Sequence, residues 1–262
     1  MPNGDGKDDI ERMGRRLRNQ GRASAGWRTF DFVDYGAPFC LYKSVAGCSD
    51  HTYSELVDAN KAKLLEAYVG SFEGSGDASV EREWAKTKQT FQTMIFQNAV
   101  DSEVKNKRHL DRSHRRYQEV KEKLISSLSS TADGEMKMIK AYLSGTDFGE
   151  YDGDWVHVMG LSMVLQVRIF VFSWAMTRSQ GYYVDPKVPL KQIRCDTDDR
   201  TLHDRVDPMK DIVIGHSIDR GQHYLRGEFS ARARRAKLKK RSRKRSKVIL
   251  INDEEDVVDL TT

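Results

Sequence analysis

One stretch limits the fold of this chain more than any other, residues 155–172. Trp155, Val156, Val158, Met159, Leu161, Met163, Val164 and Leu165 fill eight of eleven consecutive positions, so a helix there must be largely buried. Gln166 follows, and then Val167-Arg168-Ile169-Phe170-Val171-Phe172, an apolar β run with one charge. A helix, a tight turn and a core strand make a compact αβ unit. Ile212–Ile214 reads as a second core strand, expected to pair with Val167–Phe172 in one sheet. Tyr224-Leu225 begins a third. The class expected is α/β (α+β), a small central sheet flanked by helices.

The other elements are shorter or more polar. Trp27–Val33 places Trp27, Phe30, Phe32 and Val33 among polar residues, an extended entry. Pro38 halts regular structure, and Leu41–Ala46 reads as helix up to Gly47. Tyr53–Val69 carries apolar residues at 53, 56, 57, 64, 65 and 68, near helical spacing. Val80–Leu128 is long, charged and helical, and its polar middle, Asp101–Arg116, divides it into two helices. Glu135–Leu143 is a short amphipathic helix.

Charge separates this body from its ends. Of 44 Lys and Arg, 11 lie in 232–247, where there is no acid. Of 39 Asp and Glu, five lie in 248–262, where there is no base. That leaves 33 basic and 34 acidic residues in 1–231, so the net charge of +5 belongs to the tail. The expected organisation is a disordered N-terminus (1–26), a folded domain (27–230) with a helical variable region (80–128), a basic segment (231–247) and an acidic tail (248–262). Cys40, Cys48 and Cys195 form no CxxC pair and no zinc-spaced Cys/His cluster, so no metal and no cofactor is expected. No signal peptide and no membrane-length apolar stretch is visible, which predicts an intracellular protein with free thiols and no membrane partner.

Two separated patches carry the chemistry. Asp34-Tyr35-Gly36-Ala37-Pro38-Phe39-Cys40 ends a Gly/Pro loop on a thiol. Ile212–Leu225 follows an apolar run with a polar turn and then His223-Tyr224. A cysteine nucleophile and its base are usually encoded this way, far apart and each at the edge of a regular element. The imidazole can take the thiol proton and pair with the thiolate. Alone, Cys40 would read as a small buried hydrophobe. His216, in the same loop as His223, competes with it as base. His157 reads as a satisfied core histidine, and His109 and His114 as solvated helix residues. Cys48 and Cys195 lack such context.

Taken in order, Cys40–Ala46, Asp154–Phe172 and Asp211–Leu225 resemble the ovarian tumour (OTU) family of cysteine proteases, which remove ubiquitin or ubiquitin-like modifiers from conjugates. The resemblance frames about 200 residues and implies a papain-like OTU-type fold, with Cys40 as nucleophile and His223 as base. The family reads Asp-Gly-Asn before its cysteine, where this chain has Ala37-Pro38-Phe39, and Pro38 has no N–H for an oxyanion. Many members carry Asp or Asn two residues after the histidine, where this chain has Leu225. Asp34 becomes the third member of a triad only if the loop folds it back.

The tail adds partners. Val248-Ile249-Leu250-Ile251 and Val257-Val258-Asp259-Leu260, beside the acids 253–256, resemble SUMO-interacting motifs, in which a short strand adds to a partner's sheet. Arg232–Lys247 reads as a nuclear address with weak nucleic-acid contact, because it has no aromatic to stack on bases. The first expectation is an OTU-like thiol isopeptidase in the nucleus. The alternative is a catalytically impaired OTU-like binding protein recruited to SUMO-modified partners. A third reading is a chromatin or nucleic-acid tether.

Overall fold

The structure is a computed structural model. It describes residues 30–71, 78–108, 115–129, 133–146, 148–149, 153–174, 179–195, 205–207, 209–217 and 223–229. The terminal assignments, 1–26, 231–247 and 248–262, lie outside these residues, as do His109 and His114.

Among the described residues the chain is mixed α/β, with helices against a six-stranded sheet. In chain order the elements are β1 (Phe30–Val33), α1 (Cys40–Ala46), α2 (Tyr53–Val69), α3 (Ala78–Arg108), α4 (Tyr117–Ser129) and α5 (Gly134–Ser144). Then follow α6 (Trp155–Leu165), β2 (Ile169–Trp174), β3 (Ser179–Asp185), β4 (Val188–Cys195), β5 (Ile212–Ser217) and β6 (His223–Phe229). The sheet order is β1-β6-β5-β2-β3-β4, with β2–β5 parallel and the other pairs antiparallel.

The apolar unit sits at the centre, as its composition requires. Asp154 caps α6 by accepting the N–H groups of Val156 and His157. Gln166 ends it in a left-handed conformation, φ 55°. Val167 N–H then closes back on Ser162 O at 3.3 Å, and the Arg168 guanidinium is held by Asp211 at 3.0 and 2.7 Å. Those two residues belong to the turn, so β2 starts at Ile169 rather than Val167. Ile169–Phe172 pair with Ile212–Gly215. Ile169, Val171, Ile212 and Ile214 join the main core with α1, α2 and α6, while Phe170, Phe172 and Val213 pack with Val206 on the opposite face.

The helices differ from expectation only at their ends. Two helices do occupy 80–128, but the first keeps residues 101–108 of the polar middle as helix and ends at Arg108, and α3 and α4 share a small core of Val100, Val104, Tyr117 and Val120. The β3–β4 hairpin has no counterpart in the sequence reading. Its first strand, Ser179-Gln180-Gly181-Tyr182-Tyr183-Val184-Asp185, is too mixed to show a buried alternation. Helix α2 opens on a capping box in which Thr52 and Glu55 satisfy each other's N–H groups. It crosses α6 where Gly160 meets the buried Asn60. A Cβ at Gly160 would lie 1.9 Å from Asn60 Oδ1.

Candidate functional site

The site forms where the first turn of α1 meets the start of β6. Cys40 is the first residue of α1, and Leu41, Tyr42 and Val45 anchor that helix in the core. Phe39 precedes it in a left-handed conformation, φ 62°, and gives no side-chain cap to the helix. Ser44 Oγ donates to Tyr224 O at 3.3 Å, which ties α1 to β6. From the β6 side, Tyr224 N–H donates to Cys40 Sγ at 3.4 Å. His223, the residue before it, is brought close enough to the Cys40 thiol for the sulfur to raise the pKa of the ring.

Asp34 completes the arrangement because the loop after β1 turns back on itself. Asp34 Oδ1 accepts the Gly36 N–H at 2.7 Å, an Asx turn that Gly36 allows by taking φ 72°. The same oxygen accepts from His223 Nε2 at 2.7 Å. Two segments, 189 positions apart at the extremes, thus bring carboxylate, imidazole and thiol together. Both partners of the ion pair are largely covered, with side chains 20% and 26% exposed. The hydrogen bond to Asp34, then the neighbouring Cys40 thiol, raise the His223 pKa to about 9 against the opposing effect of burial. The imidazole therefore carries its proton at neutral pH. Such a pair can hold a thiolate and later return a proton to a leaving group.

The other sequence candidates fall elsewhere. His216 is not a loop residue. It lies inside β5, paired with Ser173 on β2 and Tyr224 on β6. Burial lowers its pKa to about 4, so it does not compete as a base at neutral pH. The reason is the parallel ladder, which continues through Gly215-His216-Ser217 opposite Phe172-Ser173-Trp174. His157 is 1% exposed, and its ring hydrogen-bonds Asp154 Oδ1 and the Tyr142 hydroxyl at 3.0 Å each, a satisfied core histidine. Cys48 follows α1 at its other end, where its thiol donates to Ser44 O at 3.7 Å and burial raises its pKa. A groove of about 520 Å³ beside Cys48 includes His51, Met209 and Arg226 but neither Cys40 nor His223.

The main-chain grip of Tyr224 on Cys40 escaped the sequence reading. Its only trace there was the His-Tyr pair itself. Among the described residues no group of three or more His, Cys, Asp or Glu is placed to hold a metal ion. No helix among them is long and apolar enough to cross a membrane. Val248–Ile251, Val257, Val258, Leu260 and the basic run 232–247 lie outside the described residues.

No family model matches the chain, and no curated protein matches its sequence. Among solved structures it is similar to the viral OTU domain protease from Farallon virus, at 15% identity over 79% of this chain and 88% of that one, with a TM-score of 0.38.

Proposed function

We propose that this chain is a cysteine-type isopeptidase that removes ubiquitin or a ubiquitin-like modifier from conjugates. The observation that carries the reaction type is the grouping of Asp34, His223 and Cys40, assembled from two distant segments. The substrate class follows from the ordered motif resemblance to OTU proteases. Cys40 reacts as a thiolate paired with the His223 imidazolium, and the sulfur attacks the isopeptide carbonyl. The carbon–nitrogen bond breaks as the lysine amine takes the proton from His223. Water then attacks the thioester, His223 accepts the water proton, and the modifier leaves as a carboxylate with the thiol restored. Asp34 holds the imidazole in the required tautomer and orientation. The first-turn N–H groups of α1, which have no partner within the helix and no side-chain cap, are the donors for the developing oxyanion. Cys40 N–H thus takes the part that Pro38 cannot.

Ubiquitin bearing a C-terminal electrophile tests this reading. Cys40 should be labelled, and labelling should be lost in Cys40→Ala and slowed in His223→Ala. Labelling of Cys48 or Cys195 instead overturns the assignment. The Ala37-Pro38-Phe39 loop favours one rival reading, a catalytically impaired modifier-binding protein. Saturable binding of ubiquitin with no covalent product would establish that rival. In either case we assign the tail a recruiting role, with Val248–Ile251 and Val257–Leu260 contacting SUMO and Arg232–Lys247 directing the protein to the nucleus, with weak nucleic-acid contact.

A further inference from the structure

Tyr224 links the two reacting groups. It follows His223 in the chain, and its own N–H reaches Cys40 Sγ. Its carbonyl is held by Ser44 Oγ, and its phenol donates to Gly153 O at 2.8 Å. One face of its ring is covered by the His216 imidazole, with centroids 4.4 Å apart and planes within 8°. Register explains the stack. His216 and Tyr224 are cross-strand partners, so both side chains leave the sheet on the same face.

His216 is itself fixed. Ser173, its partner across the parallel pair, meets Nδ1 at 3.2 Å. Burial keeps the imidazole neutral at physiological pH. Its Nε2 is buried and finds no hydrogen-bond partner among the described residues. A neutral imidazole that lies flat on a neighbour, with one nitrogen unused, contributes its face rather than its protons.

We propose that His216 is a positioning residue for Cys40 and His223, its flat ring fixing Tyr224 so that the Tyr224 main chain holds sulfur and imidazole in register. The proposal rests on the thiol–imidazole reading above but not on the identity of the substrate. Small displacements at a reacting pair are costly, since an error of about 1 Å can lower a rate by roughly 100-fold. Tyr224 sits where such an error would begin, because it touches one partner and is bonded to the other.

Alkylation of the full chain by iodoacetamide tests it without any modifier. Modification of the Cys40 peptide is followed by mass spectrometry across pH, for wild type, His216→Leu, His216→Phe and His223→Ala. Leucine fills space without a flat face, so it should slow Cys40 alkylation at neutral pH by about 10-fold or more and displace the pH profile. Phenylalanine restores the face without the nitrogens, and should recover both rate and profile. A purely structural role would lower the melting temperature of the leucine variant and leave its pH profile in place. A leucine profile that superimposes on wild type, or a phenylalanine variant as slow as leucine, overturns the proposal. The thiol–imidazole reading fails separately, if His223→Ala leaves the Cys40 profile unchanged.

Discussion

At the scale of the residue, His223 is the group whose ionisation the fold alters most usefully. Its folded-state pKa, about 9, lies above the ordinary value of ~6.5. The charged form is thus favoured by folding. Its contribution to stability is complete below about pH 6.5 and is lost as pH rises through about 9. Asp34 is the first cause, so Asp34→Asn should lower the His223 midpoint towards the ordinary value, as read from the imidazole resonances in an NMR titration. An unchanged midpoint would mean that the carboxylate does not hold the ring. In the same variant, ubiquitin-electrophile labelling of Cys40 should fall by roughly 10-fold, because the ring loses its orienting partner. His223→Ala should cost more, about 100-fold, since the group that pairs with the thiolate and returns the proton is itself gone. Equal rates in the two variants would show that His223 acts only through its bond to Asp34.

At the scale of the element, the site depends on how α6 and α1 are seated. Helix α6 runs close to α2 because Gly160 leaves room for Asn60, whose amide donates to the Tyr42 hydroxyl at 2.9 Å and to His157 O at 3.2 Å. Tyr42 lies on α1, two residues beyond Cys40, so this packing continues into the site. Gly160→Ala would force Asn60 aside, and should destabilise the protein by about 1–3 kcal/mol in urea unfolding. A midpoint equal to wild type would show that α2 moves freely. The N-terminus of α6 gives a second check. Asp154 accepts from Val156 and His157 N–H and from Asn98 Nδ2 at 2.8 Å. Its replacement by Ala should cost about 1–2 kcal/mol for the cap alone. Loss of stability in Asp154→Ala but not in Asn98→Ala would place the effect in the cap rather than in the contact with α3.

At the scale of the whole molecule, the recruiting role proposed for the tail can be tested apart from the body. A peptide of residues 245–262 should bind SUMO weakly, and replacement of Ile249, Leu250, Val258 and Leu260 by Ala should abolish binding, because strand addition needs apolar side chains in a groove. SUMO affinity that survives this change, measured by calorimetry or NMR, would remove the tail as the contact. Deletion of 232–247 should leave SUMO binding intact and reduce nuclear accumulation.

The sequence by itself determined what local pattern controls. The apolar density of 155–172 dictated a buried helix and strand, and the apolar run at 212–214 dictated their partner. Gly36, Pro38 and Cys40 marked a loop ending on a helix. Elements of weak pattern stayed hidden, such as the mixed β3 and the last residues of β5, because cross-strand pairing rather than propensity holds them extended. Only the tertiary structure decided the company of the thiol. Asp34 and His223 are 189 positions apart, and nothing in either local sequence states that one carboxylate oxygen will accept both the Gly36 N–H and the His223 imidazole. The pairing of β1 with β6 does, because it brings Val33 opposite Arg226 and so delivers the next residue, Asp34, to the start of β6. His216 changed its role for the same reason: its neighbours in the sheet, Ser173 and Tyr224, set its environment, and they lie 43 and 8 positions away in the chain.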